Sequence, residues 1–142
     1  MTKRSTPMTL SLQYDHVIGD LTVYFDALEA GQARASRCPQ CGDVRMPPRS
    51  TCPDDGAATD AIELSGVGRV VAITHGEATL PLMHVASAHS FVLVAMEGAN
   101  NFMFGRMAEA DVHITVGKTI RLAGCAEMLP HPAGAAIFEI VE

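Results

Sequence analysis

Two short segments of nearly the same sequence constrain this fold more than any other feature. Residues 38–42 have the sequence Cys-Pro-Gln-Cys-Gly, and residues 52–56 have the sequence Cys-Pro-Asp-Asp-Gly. Both follow the order cysteine, proline, any residue, candidate ligand, glycine, and glycine permits the positive φ that a tight turn requires. We therefore expect two turns that each direct two side chains toward one common point.

The spacing of the two turns predicts a metal site. Cys38, Cys41, Cys52 and Asp55 follow the pattern C-x2-C-x10-C-x2-D, close to the tetrahedral ligand set of a zinc ribbon. Asp55 stands where a fourth cysteine is expected. Three interpretations remain open: the Asp55 carboxylate is the fourth ligand, a water replaces it, or the metal is lost and packing alone holds the fold. We expect a structural Zn²⁺, bound more weakly than by four thiolates because carboxylate is the harder ligand.

Composition and charge narrow the possible partners. The chain has 142 residues, 48% of them hydrophobic, and a net charge of −6. Residues 1–50 carry six basic and five acidic side chains (net +1), whereas residues 51–142 carry four and eleven (net −7). This acidity argues against nucleic acid or an anionic membrane as the main partner. Any anion site is expected in the first third of the chain.

The chain has no apolar stretch of about 18 residues and no signal-peptide core. We therefore expect a cytoplasmic protein without a membrane span. Thiols stay reduced in that compartment, which favours metal binding over disulfides for the four cysteines.

Hydrophobic periodicity predicts one helix followed by strands. Leu21, Tyr24, Phe25 and Leu28 form one apolar stripe of a helix, with Asp20 as N-cap and Gly31 as the C-terminal stop. Docking of this stripe on its own domain is favoured over docking on a partner. Five short strands are predicted at 68–74, 90–97, 101–107, 118–128 and 135–141, which favours a small barrel or sandwich, while residues 76–89 have no clear assignment.

Candidate catalytic side chains are few. Cys125 lies on an apolar strand with no neighbouring His or Arg to lower its pKa, so packing is favoured over a nucleophilic role. The histidines form no recognisable catalytic motif, and each is interpreted first as a surface or loop residue. They are His16, His75, His84, His89, His113 and His131. His75, in a Thr-His-Gly turn, is the first one to test.

Several segments together carry a resemblance to a known family over residues 20–142. They are Tyr-Phe-Asp-Ala-Leu at 24–28 with Gly31, Arg-Cys-Pro-Gln-Cys-Gly at 37–42, Met-Pro-Pro-Arg at 46–49, Cys-Pro at 52–53, Glu-Leu-Ser-Gly-Val-Gly at 63–68, and the hairpin from Glu-Gly at 97–98 to Phe-Gly-Arg at 104–106. The chain resembles the acyl-CoA-associated OB-fold proteins with an N-terminal rubredoxin-like zinc ribbon, which are small subunits associated with thiolases. Two positions depart from the family: Asp55 replaces the usual fourth cysteine, and Ile62 stands where many members have tryptophan.

The resemblance implies a mainly β fold with an N-terminal helix, a rubredoxin-like zinc ribbon and a five-stranded OB-fold barrel. The expected organisation is a flexible tail over 1–19, a docking helix over 20–32, the ribbon over 33–60 and the OB-fold over 61–142. The implied function is that of a non-catalytic accessory subunit in a thiolase-superfamily complex, either a CoA-dependent acyltransferase or thiolase or an aldolase. In such hetero-oligomers the large partner supplies the catalytic Cys and His. The small subunit scaffolds it and helps to bind or shield the acyl-CoA.

Five arginines are candidates for binding the CoA phosphates, because the guanidinium fork suits phosphate. Arg34, Arg37, Arg45 and Arg49 lie in the net-positive region, and Arg106 follows Gly105, where a glycine would let a ligand approach the strand. The alternative is that these arginines are solvated or pair with acids of a partner. Similarly, the eight methionines and the Phe102/Phe104 pair either form a partner surface or, for most of them, pack in the core.

Two other functions remain open. One is a single-stranded nucleic-acid-binding OB-fold module, which the acidic barrel half and the scarcity of aromatic residues disfavour. The other is a stand-alone acyl-CoA hydrolase that uses His75 or Cys125. It would cleave thioesters as a purified chain, whereas an accessory subunit would not.

Overall fold

The fold consists of one helix, a three-stranded sheet and a closed barrel, seen in a computed structural model that describes residues 4–12, 17, 19–79, 85–110, 113–125 and 136–141. Helix α1 (Thr22–Glu29) is followed by β1 (Ala33–Arg37), β2 (Val44–Arg45), β3 (Asp60–Leu64), β4 (Val67–Ala78), β5 (Ser87–Met96), β6 (Phe102–Met107), β7 (Thr119–Gly124) and β8 (Ile137–Ile140). The predicted mainly β architecture is confirmed.

Helix α1 packs its predicted stripe against its own chain. Leu28 is fully buried, Tyr24 is nearly so, and Phe25 packs on the core, whereas Leu21 is 41% exposed. The helix ends as predicted: Gly31 has φ 71°, its N–H donates to Leu28 O, and the N–H of Gln32 donates to Ala27 O, the two bonds of a Schellman motif.

The predicted N-terminal cap of this helix is wrong. Asp20 lies within a 3₁₀ turn (Gly19–Leu21), and the residue at the N-cap is Leu21, which makes no side-chain capping bond. The 3₁₀ turn therefore precedes the α-helix where a polar cap was expected. Among the described helices, none is long and apolar enough to cross a membrane.

The ribbon sheet has the strand order β2-β1-β3. Strand β1 pairs antiparallel with β3 from Ala33 opposite Leu64 to Arg37 opposite Asp60. On its other side β1 pairs with the two residues of β2. The sheet therefore continues past residue 60, and the boundaries given for tail, helix, ribbon and barrel stay predictions.

The barrel closes in the order β4-β5-β6-β8-β7, with β6 and β8 parallel and every other pair antiparallel. The five-stranded OB-fold barrel is confirmed, and the sandwich is not formed. Strands β4 and β5 extend into the unassigned residues 76–89. Residues 80–84 and 126–135 lie outside the described residues, as do His16, His84 and His131.

Aliphatic residues and methionine fill the barrel, as a chain without tryptophan requires. Phe138 is fully buried, and Met46, Met96, Met103 and Met107 are buried around the same core. Phe102 and Phe104 instead point outward and are 56% and 44% exposed. The methionines named here are therefore core residues, and the two phenylalanines are not.

The turn between β5 and β6 holds the ribbon on the barrel. The Asn100 carboxamide and backbone exchange hydrogen bonds with both backbone groups of Val44, each at 2.8 Å. The Asn101 side chain accepts from Met46 N–H at 3.0 Å and donates to Met46 O at 2.8 Å. Four hydrogen bonds thus join the strand next to the metal-binding turns to a barrel hairpin that is distant in sequence.

Candidate metal centre and ligand cleft

The two Cys-Pro segments form two equivalent turns. In each turn the glycine N–H donates to the carbonyl of the first cysteine at 3.0 Å, and the N–H of that cysteine donates to the carbonyl five residues later at 2.8 Å. Gly42 and Gly56 have φ of 77° and 73°, a conformation that favours glycine. The repeated sequence therefore builds the same backbone twice.

The four predicted ligands converge on one point. The ligand atoms of Cys38, Cys41, Cys52 and Asp55 all lie within 4.8 Å of one another. Cys38 Sγ is 3.3 Å from Asp55 Oδ2, and Cys41 Sγ is 3.6 Å from Cys52 Sγ. Bonds of about 2.3 Å to sulfur and about 2.1 Å to oxygen at tetrahedral angles give a sulfur–oxygen separation of about 3.6 Å and a sulfur–sulfur separation of about 3.8 Å. The donor set suits Zn²⁺, and these two measured separations are close to those of a tetrahedral site.

The Asp55 carboxylate is held ready to bind a cation. Its Oδ1 accepts the N–H of Ala57 at 2.9 Å. This bond first, and the Cys38 thiol second, lower the pKa of Asp55. The carboxyl group is therefore ionised at neutral pH, as a metal ligand must be.

The pKa of the Cys41 thiol shifts in the opposite direction. The backbone N–H of Asp43 lowers the pKa of Cys41, but the Cys38 side chain and the other neighbouring ligands outweigh it and raise the pKa to about 12. A divalent cation at the centre favours the thiolate form. Cys38 and Cys52 are buried, whereas Cys41 and Asp55 are exposed, so the second ligand of each turn faces solvent.

Comparison with known families identifies this segment. Residues 25–60 match the family model described as ChsH2, rubredoxin-like zinc ribbon domain. We call it the ChsH2-type ribbon because of this similarity. The four ligand positions of a zinc ribbon are occupied here by Cys38, Cys41, Cys52 and Asp55, and their side chains are positioned to bind a metal.

The ChsH2-type ribbon and the barrel occur together in solved structures. A chain described as belonging to the Ltp2-ChsH2(DUF35) aldolase is similar with a TM-score of 0.66 and 21% identity, over 89% of this chain and 98% of that chain. A protein of unknown function from the DUF35 family of Sulfolobus solfataricus gives a TM-score of 0.60 and 15% identity, over 84% of this chain and 83% of that one. At these identities the likeness shows a shared fold. No curated protein matched the sequence.

Two of the five candidate arginines lie together beside the ChsH2-type ribbon. Arg34 and Arg49 line a cleft of about 590 Å³ between α1 and the ribbon sheet, with Leu21, Val23 and Tyr24 on its helix side. The Nε of Arg34 is buried and has no hydrogen-bond partner among the described residues. The cleft thus combines two arginines with an apolar wall, and its lining includes one acidic residue, Asp20.

The other three candidate arginines lie elsewhere. Arg45 donates to Asp43 at 2.6 Å, so its charge is already paired. Arg37 is exposed at the end of β1, opposite Asp60. Arg106 lies on the barrel in β6, opposite Phe91 of β5. The structure therefore does not gather the five arginines into one phosphate site.

Gly105 has a different role from the predicted one. A Cβ at this position would lie 2.6 Å from the Phe138 ring and 2.8 Å from Ala136 O. The glycine accommodates the buried Phe138 ring and the neighbouring strand, so no space is left there for a ligand.

The side chains considered for hydrolysis are poorly arranged for it. His75 Nδ1 lies 2.8 Å from Ser90 Oγ, but Ser90 is fully buried and donates its own proton to Ala110 O at 2.7 Å. Ser90 therefore accepts from His75 and cannot pass its proton to it. Burial first, and the charge of Glu29 second, raise the pKa of Cys125, which disfavours its thiolate at neutral pH.

Proposed function

We propose that this protein is a non-catalytic accessory subunit of a cytoplasmic thiolase-superfamily complex, a CoA-dependent acyltransferase or thiolase or an aldolase. It scaffolds the large subunit and helps to bind or shield the acyl-CoA. The observation that carries the proposal is the combination of a ChsH2-type ribbon and an OB-fold barrel in one chain, with an extent close to that of a ChsH2(DUF35) chain from an aldolase.

The structural zinc belongs to the same proposal. Three thiols and one ionised carboxylate at tetrahedral spacing support a site that holds the two turns together. A segment of this size has only a small core of its own, and such a cross-link would supplement it. Zn²⁺ would cross-link the turns and take no part in the reaction of the partner.

The cleft beside the ribbon is the proposed acyl-CoA contact. Arg34 and Arg49 supply the guanidinium groups for a phosphate, and the apolar α1 side suits a pantetheine arm. Arg45, whose charge is paired with Asp43, serves as the matched control. Replacing both Arg34 and Arg49 with glutamine should weaken CoA binding to the assembled complex at least tenfold, while Arg45→Gln should change it less than twofold. Equal effects of the two changes would remove the cleft from the proposal.

The accessory role is tested by co-expression. The chain and the thiolase-like protein encoded nearest to it are purified together, apart and after mixing, and CoA-ester turnover is measured for each. We expect a stable complex, turnover that depends on both chains, and none from this chain alone. The proposal fails if the large protein keeps full activity and stability without this chain.

The same experiment separates the hydrolase alternative. Thioester cleavage by the isolated chain, lost in His75→Ala or Cys125→Ala, would replace the accessory role with a hydrolytic one. The buried, donating Ser90 and the raised pKa of Cys125 lead us to expect no such activity.

A further inference from the structure

The outer surface of three barrel strands forms a regular grid of side chains. Strand β5 alternates strictly: Ser90, Val92, Val94 and Met96 are buried inside the barrel, and the residues between them point outward. The pairing of β5 with β4 and β6 puts nine outward positions in three rows, here named the β4–β6 outer face. The rows are Thr74, Phe91 and Arg106; Ala72, Leu93 and Phe104; and Arg69, Ala95 and Phe102.

This face has an unusual composition for a surface exposed to water. Six of its nine residues are apolar, two are arginines, and none is acidic, although residues 51–142 carry a net charge of −7. The rings of Phe91 and Phe104 are stacked, with centroids 5.7 Å apart and planes inclined by 13°. Contiguous exposed apolar surface of this kind marks an interaction site more often than isolated apolar residues do.

The opposite side of the barrel provides a contrast. There Arg121 of β7 lies opposite Glu139 of β8 and pairs with it at 3.1 Å. That arrangement is typical of a solvated outer face. The β4–β6 outer face lacks such pairs among the described residues, so its two arginines keep their charges uncompensated.

The sequence of β5 also indicates that another surface packs on its outer side. Residues 91–96 are an unbroken apolar run, Phe-Val-Leu-Val-Ala-Met. A strand with one solvated face alternates polar and apolar residues, whereas a continuous run is typical of a strand that is buried on both faces. The barrel interior covers only one of the two faces.

Arg106 is the residue of this face that needs a polar partner. Its Nε is buried without a hydrogen-bond partner in the described part of the chain, and its Nη1 lies 3.4 Å from His89 Nδ1. Burial first, and the charge of Arg106 second, lower the pKa of His89. The neutral form of His89 is thus favoured, and it can accept a hydrogen bond from the guanidinium but supplies no negative charge.

We propose that the β4–β6 outer face is the surface on which the large partner subunit docks, with an apolar centre against the phenylalanines and a partner carboxylate at Arg106. Because this inference names the interface of the proposed complex, it rests on the proposed function.

Size and charge favour a different protein over a second copy of this chain. With strands about 4.8 Å apart and rows about 6.8 Å apart, the nine positions cover roughly 300 Å². Two copies of that area bury roughly 600 Å², which is less than a specific interface needs. Two facing copies would also place four arginines and no acidic residue in one interface.

A larger partner can use the adjoining groove as well. Phe102 and Phe104 border an apolar cavity of about 300 Å³ that continues to Leu21, Phe25 and Pro47. The outer face and this groove together extend from the barrel to the helix. A partner that covers both would therefore bury more surface than the outer face offers by itself.

The test is site-specific photo-crosslinking of the full-length chain in cells that express it with its nearest-encoded thiolase-like protein. A photoreactive phenylalanine analogue replaces Phe104, and the control probe replaces Val116, which is 62% exposed outside this face. Each probe is combined with Arg106→Glu or with the matched change Arg121→Glu on the opposite side of the barrel. Circular dichroism checks folding, and Arg106→Gln provides a milder variant.

We expect an adduct with the thiolase-like chain from position 104 and not from 116, reduced at least tenfold by Arg106→Glu and little changed by Arg121→Glu. An adduct from 104 with an identified protein of another class, with the same dependence on Arg106, keeps the docking face and overturns the proposed function. If the thiolase-like chain co-purifies but crosslinks from 116 alone, the proposed function stands and the docking face is wrong. The docking-face proposal is also overturned if position 104 gives no adduct. The same holds if it gives adducts only with a second copy of this chain or with nucleic acid.

Discussion

Replacing Asp55 with asparagine separates the two roles of this carboxylate. Its Oδ1 accepts the Ala57 N–H at 2.9 Å, which shapes the second turn, and its Oδ2 lies 3.3 Å from Cys38 Sγ, at the edge of the proposed tetrahedron. The asparagine carbonyl can keep the first contact, because it accepts a hydrogen bond. The substitution does, however, remove the negative charge that makes the carboxylate a good Zn²⁺ ligand.

The expected magnitude follows from the number of ligands. Structural Zn²⁺ contributes about 10–16 kcal/mol to the folding of small zinc domains, so an even share for one of four ligands is about 2.5–4 kcal/mol. Asp55 is exposed, and a water can occupy part of the vacated position. We therefore expect Zn²⁺ to bind roughly 10–100-fold more weakly to Asp55→Asn, at about 1.4 kcal/mol per tenfold.

The assay is competition with a chromophoric chelator on protein purified without chelator, together with elemental analysis of the zinc content. We expect one zinc per chain in the parent protein. The neighbouring change Asp54→Asn, in the same turn but outside the ligand set, is the matched control and should alter affinity less than twofold. Asp55→Cys should bind Zn²⁺ more tightly than the parent, since it restores a fourth thiolate.

Two results would refute the reasoning. If Asp55→Asn and Asp54→Asn weaken binding equally, the Asp55 carboxylate is not a ligand and a water completes the shell. If the parent chain is fully folded, contains no metal and binds none, the ribbon is held by packing alone. The four converging side chains are then not metal ligands.

Three further predictions concern the barrel, its link to the ribbon and Cys125. Gly105→Ala should lower the free energy of unfolding by about 1–3 kcal/mol, because the new methyl group meets the buried Phe138 ring. The control Gly76→Ala should be nearly neutral, because its Cβ would have no atom within 4 Å. Equal denaturation midpoints for the two variants would contradict this. Asn101→Ala should cost about 1–3 kcal/mol because it leaves the backbone groups of Met46 without their partners; an unfolding free energy equal to that of the parent protein in calorimetry would contradict this. Cys125 should be alkylated by iodoacetamide more slowly than free cysteine at pH 8, with the midpoint of its pH–rate profile above that of free cysteine, because its raised pKa leaves less thiolate. Faster labelling would favour a nucleophilic role.

The ribbon was the most predictable part of the molecule because its information is local. Each turn depends on residues within five positions, and the glycines at 42 and 56 adopt the positive φ that their turns demand. The apolar stripe of α1 was equally readable, since its period is a property of one segment. The start of α1 was not predictable in this way, because a 3₁₀ turn takes the place of the Asp20 cap.

The failures came from contacts that join distant segments. Asn100 and Asn101 have the sequence of an ordinary turn, but they hold the strand next to the metal-binding turns, more than 50 residues away. Gly105 was interpreted as space for a ligand, and only the pairing of β6 with β8 brings Phe138 against it. Four of the candidate arginines share one net-positive region in sequence and Arg106 does not, and the sheet registers place Arg106 on the barrel and Arg34 in the ribbon sheet.

Strand β5 shows how the fold changes the meaning of a sequence pattern. Its run from Phe91 to Met96 was interpreted as a strand and nothing more, because hydrophobicity alone does not say which neighbours cover it. Once the register assigns Val92 and Val94 to the interior, Phe91 and Leu93 face outward beside Phe104, on a face that has no acidic residue. Exposed apolar rows lower solubility, and a chain gains nothing from them unless another surface covers them. The pattern that first identified a strand is therefore also the best indication in this chain of where a partner binds.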